Sequence, residues 1–127
     1  MTIVALVVGG LVGTGLRLGI DALLPHGDDQ FPWSTLLVNV LGSFGLGALV
    51  ARLWPVAPHW LKAGLGAGLL GSFTTFSALA VSLVTLAEAG EWLLGAGYLA
   101  ASLVAGLGAA ALGLLLGRRP EPIGPEE

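Results

Sequence analysis

The sequence has no cysteine, few charges and no basic tract. Without cysteine there are no disulfides and no thiolate metal sites, and nothing more follows about compartment. Charged residues make up 10 % of the 127 residues, against about a quarter in an ordinary soluble domain. A soluble domain this short would need more polar surface than that. The net charge is −3, so nucleic acid has no electrostatic footprint to bind and is not expected as a partner. Enzymatic chemistry also lacks its parts. His26 and His59 fall in loops without metal-ligand spacing, no nucleophile–base pair stands out, and no glycine loop suits a phosphate. No Asp or Glu sits deep in an apolar stretch, so a carboxylate-driven proton-coupled transporter would lack its proton carrier.

What the chain does have is apolar: 55 % hydrophobic residues and 21 glycines. A bilayer accepts such a composition, because lipid is then the solvent. A membrane-spanning helix needs roughly 20 mostly apolar residues, and four segments qualify: Thr2 to Leu24, Phe31 to Ala51, Ala63 to Ala87 and Trp92 to Gly117. Three polar loops separate them. The expectation is an all-α membrane protein, with residues 1–117 as one four-helix transmembrane domain. Residues 118–127 form a short polar tail with three prolines, expected to be disordered and solvated. Thr2 to Leu16 is apolar, but no Lys or Arg precedes it and no small-x-small pattern follows, so it reads as mature protein rather than a signal peptide.

Trp33, Trp54, Trp60 and Trp92 all lie at predicted helix ends, the aromatic-belt position at headgroup depth. Arg52, Lys62, Arg118 and Arg119 fall on the side of the N-terminus, the second loop and the tail, and only Arg17 leans the other way. The positive-inside rule then places both termini in the cytoplasm. Small residues recur four apart, as in Gly9 and Gly13, Gly15 and Gly19, Ser43 and Gly47, Gly64 and Gly68, and Gly113 and Gly117. That spacing lets helix backbones approach closely in lipid.

The polar groups inside the spans are few. Arg17 is the only permanent cation there, where an arginine costs about 2.5–3.5 kcal/mol at a helix centre. It either snorkels toward the first loop, with Asp21 at i+4 as a partner, or forms a positive vestibule for anions. Thr35, Asn39 and Ser43 share one face of the second span. The Asn39 amide either staples two helices or donates into a polar pathway. Gly71-Ser72-Phe73-Thr74-Thr75-Phe76-Ser77 places a glycine and four hydroxyls at mid-membrane in the third span. This is poor helix material. Either the hydroxyls bond back to the preceding turn, or the helix breaks. A break exposes carbonyls that suit a hard cation and N–H groups that suit an anion. Tyr98 and Ser102, four apart on the fourth span, could extend a polar track.

Together these motifs resemble the Fluc (CrcB) fluoride channels. Gly9-Gly10-x-x-Gly13-x-x-x-Arg17 is similar to their first-helix signature. Pro32-Trp33-Ser34-Thr35-Leu36-x-Val38-Asn39-x-x-Gly42-Ser43-Phe44-x-x-Gly47 is similar to the second, and Gly71-x-x-Thr74-Thr75-Phe76-Ser77 to the third-helix break. The resemblance covers all four spans. It implies an antiparallel dimer of four-helix subunits with two fluoride pores, in the plasma (inner) membrane, passing fluoride out of the cytoplasm passively. It implies an anion path past Asn39, Phe76, Tyr98 and Ser102, with Arg17 as a vestibule arginine; the hydroxyls of Thr35, Ser43 and Ser77 are expected along the same path. It also implies a structural Na+ at the dimer axis, held by the backbone carbonyls of Gly71 and Thr74.

The chain departs from that family pattern in four places. Leu79 stands where a second phenylalanine is usual, Ala78 where a threonine is, Ser82 where a glutamate is, and Leu18 where a tyrosine follows the arginine. A homodimer would then have half of the ring wall in each pore. The alternative is a non-conducting or half-pore subunit of a heterodimer, completed by an oppositely oriented homologue. A small multidrug antiporter, of similar size, would need a first-helix glutamate that is missing here.

Overall fold

The computed structural model describes residues 1–120; the end of the tail, residues 121–127, lies outside the described residues. The first span is α1 (Thr2–Leu23) and the second is α2 (Trp33–Arg52). The third is assembled from pieces. It begins with α3 (His59–Lys62), passes through a π-helical stretch (Ala63–Leu70) and the single turn α4 (Gly71–Phe73), and ends with α5 (Phe76–Glu88). The fourth span is α6 (Trp92–Gly117). All four spans are long and apolar enough to cross a membrane.

The ends of the helices follow from local chemistry. Pro32 caps α2, so that helix starts at Trp33 rather than at Phe31. Pro58 caps α3, and the third span starts at His59, four residues ahead of the expected Ala63. A proline lacks the N–H that a first turn leaves unpaired anyway. Lys62 looked like loop by its charge, but it rides on this extra turn. Gly90, at φ +77°, closes α5, and the amides of Gly90 and Glu91 bond back to Ala87 and Leu86. A glycine takes this left-handed geometry without the Cβ penalty.

α2 packs along α6, and α1 packs along the first half of the third span, while α5 leans on α6. Glycines make the two main seams. A methyl on Gly9 would strike the carbonyl of Gly64, and one on Gly47 would strike that of Ala110. The pair Gly15 and Gly19 meets no neighbour within the subunit. Buried large side chains are few, chiefly Val38, Phe73, Leu86 and Tyr98, and most Leu and Val side chains point outward. That is the surface a lipid-embedded helix presents.

The seams also bring one set of ends together. Gly117 meets Ala48 and Ala51, Ala5 meets Gly64, and the Arg119 Nε donates to the Arg52 carbonyl at 3.1 Å. Arg52, Arg118 and Arg119 therefore gather at the end that also holds the N-terminus and the start of the third span with Lys62. Trp33, Trp60 and Trp92 are exposed at helix ends, as an aromatic belt requires. Trp54 is half-buried instead.

The helix break lies at Thr74 and Thr75, both extended (φ −79°, ψ 155° and φ −148°, ψ 116°). Threonine is β-branched and takes this backbone readily. Gly71 itself stays helical, at φ −63° and ψ −33°. The third span is thus not continuous, and its break sits at the C-terminal end of the expected stretch. The π-helical stretch before it was not anticipated. Such wide turns are mostly short and cluster at functional sites.

Candidate functional site

The site is built on the break. Thr75 there has lost its helical partners, and Asn39 of α2 replaces them. The Thr75 N–H donates to Asn39 Oδ1 at 2.8 Å, and Asn39 Nδ2 donates to the Thr75 carbonyl at 3.0 Å. One amide proton of Asn39 remains over. Thr75 also caps α5: its Oγ1 accepts from the Ala78 N–H at 3.1 Å and lies 3.1 Å from Ser77 Oγ. The Thr74 hydroxyl turns back to the Leu70 carbonyl at 2.9 Å.

These bonds have a consequence for the carbonyls. In an unbroken helix the Gly71 carbonyl would accept from the Thr75 N–H, and the Thr74 carbonyl from the Ala78 N–H. Asn39 and the Thr75 hydroxyl hold those two donors instead. Both carbonyls are left without their helical donors, and carbonyl oxygens suit a hard cation. At the other side of the break, the N–H groups of Phe76 and Ser77 begin α5, where a helix has no intrahelical acceptor.

Two clefts flank the break. The first, about 490 Å³, runs along α2 and brings together Asn39, Ser43, Gly71, Thr74 and Phe76, with Trp54 at its far end. The Phe76 ring is 80 % exposed, so its own chain does not hold it. The second, about 370 Å³, lies on the other side and is lined by Thr35, Ser34, Ser82, Asp21 and His26 among others. Thr35, Asn39 and Ser43 do share a face of α2, and that face passes the break: Thr35 on the α5 side, Ser43 on the α4 side.

Behind the second cleft lies a cluster of hydroxyls. Tyr98 is fully buried, and its hydroxyl neighbours those of Ser102, Ser82 and Thr35. The hydroxyls of Tyr98 and Ser102 have no hydrogen-bond partner of proper geometry. The Tyr98 ring is held edge-on by Phe31, with centroids 5.4 Å apart and planes at 87°. Of the other expected residues, Ser77 is exposed at the start of α5 and Arg17 is half-buried on α1. Neither lines either of these two clefts.

Sequence reasoning did not single out Thr75 as a site residue, although Asn39, Ser77 and Ala78 all bond to it. A threonine three residues ahead of a backbone N–H it can cap was the available signal. Ser82 was noted only as a departure, and its hydroxyl joins the Tyr98 cluster.

Fold and site together define a multi-pass membrane protein whose third span is broken, with a cleft carrying polar groups on either side of the break. The model of the CrcB-like protein family (Camphor Resistance, CrcB) matches residues 4–114. The chain is 38 % identical over 117 residues to the "Fluoride-specific ion channel FluC" of Paracoccus denitrificans, covering 92 % of this chain and 94 % of that one. It is 43 % identical over 118 residues to "Fluoride-specific ion channel FluC 2" of Halalkalibacterium halodurans, covering 90 % and 84 %. It is 41 % identical over 121 residues to the "Fluoride-specific ion channel FluC" of Allorhizobium ampelinum, covering 91 % and 95 %. The chain belongs to the CrcB-like family.

Proposed function

We propose that the chain is a fluoride-selective channel, not an enzyme, that lets fluoride leave the cytoplasm passively through the plasma (inner) membrane. The observation that carries this reading is the Asn39–Thr75 clasp. It holds a helix break open beside a cleft that contains amide, hydroxyl and aromatic groups but no charge. Fluoride holds its water strongly, so a pore must replace that shell with donors. The second Asn39 amide proton, the N–H groups at the start of α5 and the hydroxyls of Ser43, Ser77, Thr35, Ser82, Tyr98 and Ser102 are the candidates. An aromatic ring has a positive edge, so Phe76 can favour an anion without a charge that would trap it. The relatives named as fluoride-specific channels support the choice of ion.

The working unit in this reading is an antiparallel dimer, in which the exposed Phe76 ring faces the second subunit. The carbonyls of Gly71 and Thr74 would hold a sodium ion together with their counterparts. When bound, that ion would supply a fixed positive charge that braces the breaks. Arg17 would act from the membrane edge as an electrostatic lure rather than as a ligand.

A second reading, a heterodimer with an oppositely oriented homologue, has two observations in its favour. The cations gather at one end of the subunit, which biases insertion to a single orientation. Leu79, one turn beyond Phe76, leaves the ring wall half complete. Fluoride and chloride efflux from liposomes holding only this chain separates these readings. Fluoride efflux without chloride efflux supports the homodimer. Silence alone, with fluoride efflux on adding an oppositely oriented homologue, supports the heterodimer. Equal efflux of both anions contradicts both.

A further inference from the structure

Trp54 is the one tryptophan that leaves the belt. Two residues beyond the end of α2, its N–H shares the Leu49 carbonyl with that of Leu53, at 3.1 Å and 2.8 Å, and Pro55 follows. This tight cap turns the indole inward over the π-helical stretch. Its Cη2, Cζ2 and Cζ3 atoms cover Gly66, where an added Cβ would fall 2.7 Å from Cη2. The ring lines the same cleft as Asn39, Ser43 and Phe76. Along α2, Asn39 and Arg52 are about 20 Å apart at 1.5 Å per residue, with Ser43 between them. Phe76 and Trp54 are the two rings of this cleft, one at the break and one at its far end. That far end, two residues past Arg52, lies where Arg52 and Arg119 gather. Cations draw anions of every size toward it, so size discrimination at this end falls to the walls.

We propose that Trp54 determines which solutes reach the break from the cationic end: the indole, seated on Gly66, admits small anions and excludes bulky ones. The proposal rests on the reading of this cleft as an anion path. The absence of native cysteine gives it a direct test, because Ser43→Cys creates a single thiol between the ring and the break. Reconstituted protein is treated with a small anionic methanethiosulfonate, or with the same warhead carrying a bulky sulfonated dye. With Trp54 intact, the bulky reagent reacts far more slowly than the small one. Trp54→Ala speeds the bulky reagent by about tenfold or more and the small reagent by less than about twofold. Gly66→Ala, which pushes the ring off its seat, does the same and adds nothing to Trp54→Ala. Trp54→Leu stands in should the alanine variant not fold.

The proposal is overturned if the bulky reagent reacts as fast as the small one with Trp54 intact. It is also overturned if the substitutions change neither rate, or raise both equally. Fluoride efflux of the unsubstituted chain, measured in the same vesicles, keeps the two readings apart. Size filtering without efflux, even after an oppositely oriented homologue is added, would overturn the channel reading alone, and efflux without size filtering would overturn the role of Trp54 alone.

Discussion

Asn39 and Thr75 exchange two hydrogen bonds in opposite directions, side chain to backbone, across 36 residues of sequence. The amide thus copies the pairing that a neighbouring strand would give, and it does so in a helical protein in lipid. Asn39→Leu removes both bonds, and each unpaired group left behind costs about 1–3 kcal/mol. The expected result is a clear loss of thermal stability in detergent together with loss of flux. Asn39→Asp keeps an acceptor for the Thr75 N–H but sets a negative oxygen beside the Thr75 carbonyl and the anion path. Its flux should vanish while the protein still folds. Wild-type flux from Asn39→Asp would contradict the assignment.

Tyr98→Phe separates packing from conduction. The hydroxyl is buried among those of Ser102, Ser82 and Thr35, none of which meets it at proper hydrogen-bond geometry, so its removal breaks no well-formed bond. Stability should hold or rise, and fluoride flux should fall. A drop in stability with flux unchanged would mean that the hydroxyl serves the fold and not the ion.

Substitutions at the glycines should fall into two classes. Gly13→Ala and Gly47→Ala press a methyl into the backbone carbonyls of Leu69 and Ala110, and overpacking of this kind costs about 1–3 kcal/mol. Gly15→Ala and Gly19→Ala meet nothing and gain helix propensity of up to about 1 kcal/mol. Thermal unfolding of the four variants checks this, and equal effects in both classes would contradict the packing.

The four spans were legible in the sequence because a bilayer imposes one strong rule, a run of about 20 apolar residues. Charge misled most at Lys62, where an amphipathic turn extends the third span toward the headgroups; Arg52 and Glu88, also left to the loops, are the last residues of α2 and α5. The break was legible as the glycine and hydroxyl run, near Gly71 to Thr75, and it falls within that run; which two residues open was not legible, because the choice of Thr75 depends on Asn39 reaching it from 36 residues away. The π-helical stretch left no mark beyond its glycines. Spacing by four marked the seams at Gly9 and Gly47 correctly, yet gave the same signal at Gly15 and Gly19, since periodicity does not say which face meets a neighbour within the subunit. The inward turn of Trp54 was hidden for a similar reason: its place at a helix end matched the belt.

The gathering of Arg52, Arg118 and Arg119 at one end predicts a dominant orientation with both termini in the cytoplasm. A reporter fused to the C-terminus should read cytoplasmic in most molecules. Adding two lysines to the loop between α1 and α2 should then shift part of the population. An even split in the unsubstituted chain would remove the charge argument for a heterodimer.

The central claim is passive conduction of fluoride, and the most direct measurement is its electrogenic efflux. Liposomes containing the purified chain and potassium fluoride are diluted into fluoride-free buffer, and a fluoride electrode follows release, with the oppositely oriented homologue added where the chain alone is silent. Efflux should stall at once without a counter-ion pathway and run to completion when a potassium ionophore is added, with no chloride released in parallel experiments. Efflux at the same rate with and without the ionophore, or equal release of chloride, would contradict the account.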